Sequence, residues 1–213
     1  MKAEIDPAEV AFFTELQRIL SRGRILLPGN LSRICAVDAA YSGDLVVAVA
    51  SLFEDGTPAE TSTYIGRCTF PYVSGLFFLR EGPFAVEAIS GLKSKPQLVC
   101  FDAHGEAHPR LAGMATICGM VLGMPSVGIA KSLLVGKVVQ AREGLDEITH
   151  GGRRAGFRVR TDGMTRYWSP GYSVDLSQLE SVICTHGSLC LRAMADSDRV
   201  AREELRAATS PQP

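Results

Sequence analysis

The chain has 213 residues, of which 46% are hydrophobic and 21% are charged, and its formal net charge is −1 at pH 7. This length and composition predict one folded domain over residues 1–213 with a sizeable apolar core. A net charge near zero excludes a general attraction to nucleic acid or to an anionic membrane, so a polyanionic partner would need a local basic patch or bound metal ions.

The N-terminal part is predicted to form a helix followed by a β-hairpin. Residues 7–22 place apolar side chains at helical spacing, with Asp6 as the cap and Pro7 at the first helical position. Two apolar runs at residues 33–41 and 45–53 flank the turn sequence Tyr-Ser-Gly-Asp. Two such runs around a turn signal predict paired antiparallel strands.

The middle of the chain changes from antiparallel to parallel strands. Residues 60–69 alternate weakly and are predicted to extend the hairpin into a three-stranded meander. A proline-bounded loop and a short helix around residues 83–91 follow. Residues 96–102, 109–123 and 124–131 then predict a strand, a helix and a strand. Their combined length is that of a βαβ unit, which joins parallel strands.

The C-terminal third is predicted to hold a second hairpin and a helix. Residues 155–160 and 165–169 flank a Thr-Asp-Gly turn, and the segment from Leu189 to Ala208 has the pattern of an amphipathic helix. An antiparallel meander that leads into parallel strands, with helices on its faces, predicts an α/β fold with a mixed sheet.

Three acids interrupt otherwise apolar segments. Asp38 lies inside the first strand, Asp102 ends the strand at 96–102, and Glu81 follows the apolar sequence GLFFLR. Each alone is more often an ordinary turn or strand-end residue. A buried carboxylate is costly unless it is paired or bound to a cation, and no arginine or lysine in these segments is an obvious partner for all three. Together they favour a shared divalent ion, and all-oxygen ligation selects Mg²⁺ or Mn²⁺.

The stretch FDAHGEAHPR contains His104 and His108, spaced as a zinc-binding pair on a helix would be. Pro109 places the helix start at or after itself, so the two histidines would not share a helical face, and the zinc-hydrolase interpretation is weak. His108 at the predicted helix N-terminus could orient a water or contact a phosphate, or it could simply cap and pack.

Lys131 ends the strand beside that of Asp102 and is predicted to face the same edge of the sheet. It could contact a phosphate or balance the carboxylates, although a lone lysine is more often solvated. Carboxylates, metal and lysine on a mixed sheet together suggest phosphoryl-transfer chemistry, in which two ions could hold the attacking water and the leaving oxygen.

Five blocks of the sequence resemble those of the endonuclease V family, deoxyinosine-directed nucleases with a ribonuclease-H-like fold. The blocks are AVDAAY (36–41), PYVSGLFFLREGP (71–83), FDAHGEAHPRLAGMAT (101–116), PSVGIAKSLL (125–134) and YWSPGYSVDL (167–176). Their order and spacing fit over residues 30–180, roughly, and the long strings are far more specific than a single short motif.

The resemblance implies a catalytic set made of residues at the matching positions. Asp38, Glu81 and Asp102 would bind Mg²⁺, for which Mn²⁺ could substitute. His108 and Lys131 would support catalysis near the scissile phosphate. The activity implied is Mg²⁺-dependent DNA repair, in which deoxyinosine is recognised and the second phosphodiester 3′ to it is hydrolysed, leaving 3′-hydroxyl and 5′-phosphate ends.

The resemblance also implies a surface that contacts DNA carrying deoxyinosine or other deaminated bases. Tyr72, in a loop started by Pro71, would fill the base stack when the deaminated base is turned out, because an aromatic ring offers a stacking face. An ordinary packed loop aromatic would carry the same residue type. Gly75 and Gly105 would allow close approach of the backbone.

A basic cluster at residues 153–166 adds to this surface. Alternation places Arg158 and Arg160 on one face of a strand, where they could follow phosphates. The solvated face of an edge hairpin carries such charges equally often.

Departures from the family pattern bear on substrate preference and rate rather than on the reaction class. Ser74 stands where the family usually has a second proline, Ala39 and Ala40 replace a Val-Ser pair, and Tyr172 replaces a histidine. The segment THGSLCLRAMADSD replaces a proline-containing block, so the last helix has no aligned counterpart.

Two further hypotheses remain open at the level of sequence. The chain could prefer inosine-containing RNA, since the choice depends on a contact with the 2′-hydroxyl that the sequence does not place. It could instead bind inosine-containing nucleic acid without cutting it. The six cysteines form no C-x-x-C pair, so reduced thiols in a cytoplasmic protein are expected, and no apolar segment is long enough to span a membrane. The chain is also expected to be a monomer that contacts no membrane.

Overall fold

The computed structural model describes residues 7–20, 27, 31–142, 144–161 and 163–210. Within these residues nine strands form one mixed sheet, flanked by helices. The strands are β1 (Arg33–Ser42), β2 (Leu45–Glu54), β3 (Thr57–Arg67), β4 (Leu98–Phe101), β5 (Ser126–Ala130), β6 (Lys137–Arg142), β7 (Leu145–His150), β8 (Arg153–Thr161) and β9 (Met164–Pro170). The helices are α1 (Pro7–Leu20), α2 (Phe77–Ser90), α3 (Met114–Leu122) and α4 (Leu176–Thr209).

The strand order is β3-β2-β1-β4-β5-β9-β8-β7-β6. β1, β2 and β3 form the predicted antiparallel meander, and β1, β4 and β5 run parallel at the centre. The expected mixed sheet is therefore confirmed. Because Val37 of β1 pairs with Phe101 of β4, the following residues lie side by side: Asp38 within β1 and Asp102 directly after β4.

The central strands are buried on both faces, which explains their continuous apolar runs. One face packs against α2 and α3 through side chains such as Val37, Phe101 and Ile117. The other packs against α4 through side chains such as Ile34 and Trp168. The helices on these two faces therefore fix the position of the central strands that carry Asp38 and Asp102.

Helix α2 begins at Phe77, not near residue 83 as predicted, and Pro83 lies inside it. Its buried stripe includes Phe78, Ala85 and Ile89 at helical spacing, and the burial of that stripe outweighs the one backbone hydrogen bond that a proline removes. The correction matters for function, because Glu81 lies within the helix and is buried rather than preceding it in a loop.

Helix α3 begins at Met114, five residues later than the predicted start at Pro109. Leu111 has a φ of 55°, which a helix does not permit, and Gly113 is the residue that precedes the helix. His108 therefore lies in a loop and not at a helix N-terminus. The predicted end is confirmed, since Gly123 closes the helix in the left-handed conformation.

Helix α4 begins at Leu176 rather than Leu189 and has 34 residues. Asp175 starts it with a capping box, in which its side chain accepts from the Gln178 backbone and the Gln178 side chain accepts from the Asp175 backbone. The sequence prediction missed the first turns because polar residues and Gly187 interrupt their apolar pattern.

The remaining boundaries shift by a few residues. α1 was expected over 7–22 and is described to residue 20, while its predicted cap Asp6 lies outside the described residues. β3 was expected over 60–69 and covers residues 57–67. The β6–β7 hairpin was not predicted, because the outermost strand β6 is exposed and so lacks a marked apolar run.

Both strands of the second predicted hairpin, now β8 and β9, are present with longer bounds. Across the described part of the chain, no helix is both long enough and apolar enough to cross a bilayer.

Candidate active site

Three carboxylates converge at one edge of the sheet from three different elements. Asp38 comes from β1, Asp102 follows β4, and Glu81 faces them from α2. Glu81 is only 6% exposed, and the Asp102 side chain is 12% exposed. The predicted acids are thus brought together, as the expected adjacency of β1 and β4 required.

The proximity of these acids is visible in their electrostatics. Burial, and then the charge of Asp102, raise the pKa of Asp38 from 3.8 to about 7. Burial, and then the charge of Asp38, raise the pKa of Glu81 from 4.5 to about 8. Like charges held close in a poorly solvated place favour the protonated form, so the positive charge near these acids is insufficient to keep both of them ionised.

The hydrogen bonds at this edge are few. Asp38 Oδ1 accepts from the backbone N–H of Ala39 at 2.8 Å, and Glu81 Oε2 accepts from the Tyr41 hydroxyl at 3.2 Å. Burial and the neighbouring Glu81 raise the pKa of the Tyr41 hydroxyl, which keeps it a donor. Among the described residues, neither Asp38 nor Glu81 forms an ion pair with a lysine or arginine.

Lys131 lies at the same edge, as predicted, and its ammonium forms an ion pair with Asp102 Oδ2. Partial burial lowers the pKa of Lys131, but the hydrogen bond and charge of Asp102 outweigh this and leave the pKa raised. Lys131 is therefore a permanent cation directly beside the carboxylates.

Asp198 on α4 is a fourth acid at this edge, and the sequence analysis missed it. It lines a hollow of about 310 Å³ together with Asp38, Asp102 and Lys131. Its charge acts on both Asp38 and Lys131, and its own side chain pairs with Arg202 at 2.7 Å. The sequence does contain a signal for Asp198, because this acid directly follows Ser197, which is buried on the sheet-facing stripe of α4. The signal was overlooked because the last helix has no aligned counterpart in the family pattern.

The chemistry of these donors fits a hard divalent cation. The set consists of carboxylates, which Mg²⁺ prefers, and the raised pKa values of Asp38 and Glu81 are the signature of acids that lack a compensating cation. The described side chains do not form a ready cage of three or more acidic, histidine or cysteine donors. The fit to Mg²⁺ therefore lies in the donor type and charge.

A cavity of about 280 Å³ opens beside the carboxylates on the α2–α3 face. Its walls combine apolar and polar side chains, among them Tyr72, Phe77, Phe78, Asp102, His108 and Met114. Tyr72 is 67% exposed at the rim, and its ring lies 6.2 Å from that of Phe77. The cavity thus has an exposed aromatic residue at its mouth and charged groups at its side.

The loop from Asp102 to Gly113 is fastened to its neighbours by close backbone contacts. Gly105 is buried, donates its N–H to Ser169 Oγ at 2.8 Å, and would place a Cβ 1.9 Å from the Pro170 carbonyl oxygen. Packing alone therefore requires glycine at this position. His104 Nε2 bonds the Ser132 carbonyl at 2.9 Å and so ties the loop to the residue after Lys131.

His108 is 3% exposed and lines the cavity. Its Nε2 lies 3.1 Å from the Gly75 carbonyl oxygen, and its Nδ1 accepts from the backbone N–H of Arg110 at 3.3 Å. Burial, and then the charge of Arg110, lower the pKa of His108 from 6.5 to about 4. This histidine is therefore neutral and turned toward the protein with both ring nitrogens.

Arg158 and Arg160 share one face of β8, as their alternation predicted, and both bind the fully buried Asp146 of β7. Arg158 reaches Asp146 Oδ2 through Nε at 2.9 Å and Nη2 at 2.6 Å, and Arg160 reaches the same oxygen at 2.8 Å. Two guanidinium groups on one carboxylate leave one net positive charge, fixed at a partly exposed position.

Comparison with known proteins identifies relatives of the chain. The family model described as Endonuclease V matches residues 18–188. The endonuclease V of Saccharolobus islandicus is 37% identical over 169 residues, which cover 78% of this chain and 82% of that protein.

Solved structures share the architecture. The crystal structure of the endonuclease V from Streptomyces avermitilis has a TM-score of 0.81 at 28% identity and covers 97% of this chain and 96% of that chain. An endonuclease V structure from Ciona intestinalis, in complex with a 23mer DNA containing an inosine followed by a ribo-adenosine, has a TM-score of 0.80. It is 18% identical and covers 96% of this chain and all of that one, so this likeness concerns the fold.

Proposed function

The chain belongs to the endonuclease V family of nucleases and has its ribonuclease-H-like fold, and from this we propose that it cuts DNA beside deoxyinosine in a Mg²⁺-dependent repair reaction. The product ends proposed are a 3′-hydroxyl and a 5′-phosphate, from hydrolysis of the second phosphodiester 3′ to the lesion. The observation that carries the proposal is the convergence of Asp38, Glu81 and Asp102 at one sheet edge, where Asp38 and Glu81 form no ion pair with any described residue.

Asp38, Glu81 and Asp102 would hold the metal, with Asp198 as a further acid at the same edge. When bound, Mg²⁺ supplies the positive charge that stabilises the transition state of phosphodiester hydrolysis. The partly buried Tyr41 hydroxyl orients Glu81 by donating to it. Lys131 is a fixed cation that lines both the cavity beside the carboxylates and the hollow near Asp198. It would contact the phosphate if Asp102 bound the metal.

The cavity beside the carboxylates would receive the turned-out base. Its apolar walls, Phe77 and Phe78 among them, offer stacking surfaces, and the exposed Tyr72 at its mouth would occupy the vacated position in the duplex. Unpairing costs least at a mispaired base, which is how hypoxanthine would be found. The inosine-containing DNA bound by the Ciona intestinalis structure supports this substrate class.

The arginine pair on β8 would contact the DNA backbone. Arg158 pairs with Tyr167 of β9, and Tyr167 pairs with Ala130 of β5, so the three lie in one row on one face of the sheet. Ala130 lines the cavity. Ala130 and Arg158 are two strand spacings apart, a distance of about 10 Å. This distance corresponds to about three nucleotide steps along one strand of B-form DNA.

Replacing Arg160 by glutamine is expected to weaken binding to deoxyinosine-containing and undamaged duplexes to the same extent. The slope of log affinity against log salt should fall by about 0.9, the value for one lost phosphate contact. Asp146 keeps Arg158 as its partner in this variant, so the fold is preserved.

The matched control is Arg33→Gln, which removes the same charge from the start of β1 and so from the opposite end of the sheet. Fluorescence anisotropy at several salt concentrations measures both variants. An unchanged slope for Arg160→Gln would remove this arginine from the DNA-binding surface.

Parallel incubation with inosine-containing DNA, RNA and hybrid strands tests the proposed substrate. We expect cleavage of the deoxyinosine duplex in Mg²⁺, none in EDTA, and none of the same duplex with adenine. Preferred cleavage of inosine in RNA would make the chain an endoribonuclease, and binding without cleavage in Mg²⁺ or Mn²⁺ would make it a binding protein.

We also propose that the chain acts as a monomer in the cytoplasm. All of the proposed site residues come from one chain, and all six cysteines are free thiols, as a reducing compartment maintains them.

A further inference from the structure

We propose that His108 is a positioning residue, which with Arg110 holds the carbonyl of Gly75 and thereby fixes the loop that presents Tyr72 to the duplex. The inference rests on the proposed function, since it assigns a role within that reaction. It replaces the expectation that His108 acts directly beside the scissile phosphate.

The contacts around Gly75 carry the inference. Its carbonyl oxygen accepts from Arg110 Nη2 at 2.5 Å and lies 3.1 Å from His108 Nε2. A carbonyl only accepts hydrogen bonds, so Nε2 must carry the proton. Nδ1 accepts from the Arg110 backbone N–H and therefore carries none. Both nitrogens of the neutral ring are thus used within the protein.

This arrangement argues against proton transfer by His108. A second proton would have to sit on Nδ1, where it would face the Arg110 N–H donor and the nearby guanidinium. The side chain is also 3% exposed, and burial opposes the charged form. A histidine that shuttled a proton would need one nitrogen open to the substrate.

Fixing Gly75 fixes the loop that carries Tyr72. The Leu76 N–H donates to the Val73 carbonyl at 2.9 Å, which closes a four-residue turn over Val73–Leu76. Gly75 has a φ of 78°, as the third position of a type II turn requires. Tyr72 immediately precedes this turn and is 67% exposed, so the turn's position sets where the ring lies.

The loop needs this support because of its own sequence. Proline is common at the second position of a type II turn, where this chain has Ser74. Without that constraint on φ, hydrogen bonds from outside the loop determine its conformation. A Cβ at residue 75 would lie 2.8 Å from Arg110 Nη2, so the contact also depends on glycine.

The experiment compares single-stranded and duplex DNA, because only in the duplex must the base be turned out of a base pair and its place in the helix be filled. His108→Leu removes the donor and should lower kcat/KM for duplex deoxyinosine DNA by about 10- to 100-fold, since small misplacements cost that much. Single-stranded substrate should lose less than about threefold, and Arg110→Met should show the same selectivity.

His108→Gln separates positioning from proton transfer. The amide nitrogen of glutamine can donate to the Gly75 carbonyl but cannot act as an acid or base at neutral pH. We expect it to recover most of the duplex activity that His108→Leu loses. The fluorescence of a 2-aminopurine placed beside deoxyinosine should rise on binding of the wild type and of His108→Gln, and less with His108→Leu.

Equal losses on both substrates, or a glutamine variant as slow as the leucine variant, would overturn the positioning role. Thermal unfolding of each variant separates these outcomes from a loss of fold. A wild type that cuts neither deoxyinosine substrate would instead overturn the proposed function, so the two failures are distinguishable.

Discussion

Replacing Asp102 by asparagine is expected to lower the rate of Mg²⁺-dependent cleavage of deoxyinosine DNA by at least about 1,000-fold. Asp102 lines both the cavity and the hollow at this edge of the sheet and forms an ion pair with Lys131. The substitution removes a negative charge proposed to hold the metal and leaves Lys131 without its carboxylate. The cavity and Tyr72 remain, so affinity for deoxyinosine DNA should change much less than the rate.

Single-turnover cleavage and equilibrium binding measure the two quantities separately. Glu54→Gln is the matched control, because it removes a carboxylate charge from the end of β2 that lies beside the start of β1, away from Asp102. There Glu54 pairs with Arg33 at 3.7 Å. That variant should cut at the wild-type rate. Comparable rates for Asp102→Asn and wild type would show that Asp102 takes no part in the reaction.

Replacing Glu81 by glutamine is expected to abolish cleavage and at the same time stabilise the metal-free protein. Glu81 is buried against Asp38, and the neutral amide removes both the buried charge and the repulsion. Each unit by which the pKa is raised corresponds to about 1.4 kcal/mol of unfolding free energy that the neutral amide would recover. The amide forms weaker hydrogen bonds than the carboxylate, which offsets part of this gain, so a net stabilisation of about 2 kcal/mol at pH 8 is expected. This raises the unfolding midpoint by about 6 °C for a chain of this length.

The pH dependence of the metal-free protein follows from the same carboxyl groups. The pKa of Glu81 is raised to about 8 and that of Asp38 to about 7, so the folded protein keeps protons that the unfolded chain has lost. Stability should therefore be highest below the ordinary pKa values of 3.8 and 4.5 and should fall as pH rises through the window up to about 8. Glu81→Gln should show a shallower fall.

Thermal unfolding in EDTA at several pH values tests this prediction. Added Mg²⁺ should stabilise the wild type most at high pH, because it binds the ionised carboxylates of the folded state. A Glu81→Gln variant that is less stable than the wild type at pH 8 in EDTA would contradict the proposed origin of the raised pKa values.

The sheet and the central carboxylates could be predicted because their physical signals are local. Continuous apolar runs mark β1, β4 and β5, and an acid at the end of such a run is conspicuous. The pairing of β1 with β4 then brings Asp38 beside Asp102. The first step uses only local signals, and the second needs only that the meander and the βαβ unit share one sheet.

The features that sequence did not predict depend on tertiary packing. Pro83 looked like a helix start, yet the buried stripe of α2 carries the helix through it and encloses Glu81. Asp198 reaches the site only because α4 crosses the sheet from the other face. The position of His108 depends on the loop before α3, whose backbone conformation is set at Leu111 and Gly113. Such a loop leaves no periodic pattern of apolar residues in the sequence.

Arg158 and Arg160 illustrate a mixed outcome. Their shared face was predictable from alternation, whereas the buried Asp146 that holds both guanidinium groups was not recognised. An acid near the start of β7 becomes informative only when its cross-strand partner is known to be Arg158.

The measurement that tests the central claim most directly is the mapping of the cut in a duplex with one deoxyinosine, labelled at the 5′ end of the damaged strand. With Mg²⁺ we expect one product, ending in a 3′-hydroxyl one nucleotide beyond the inosine, which the wild type forms and Asp38→Asn and Asp102→Asn do not. A cut at any other position, or equal product from the wild type and both variants, would contradict the account of these carboxylates as the nuclease site.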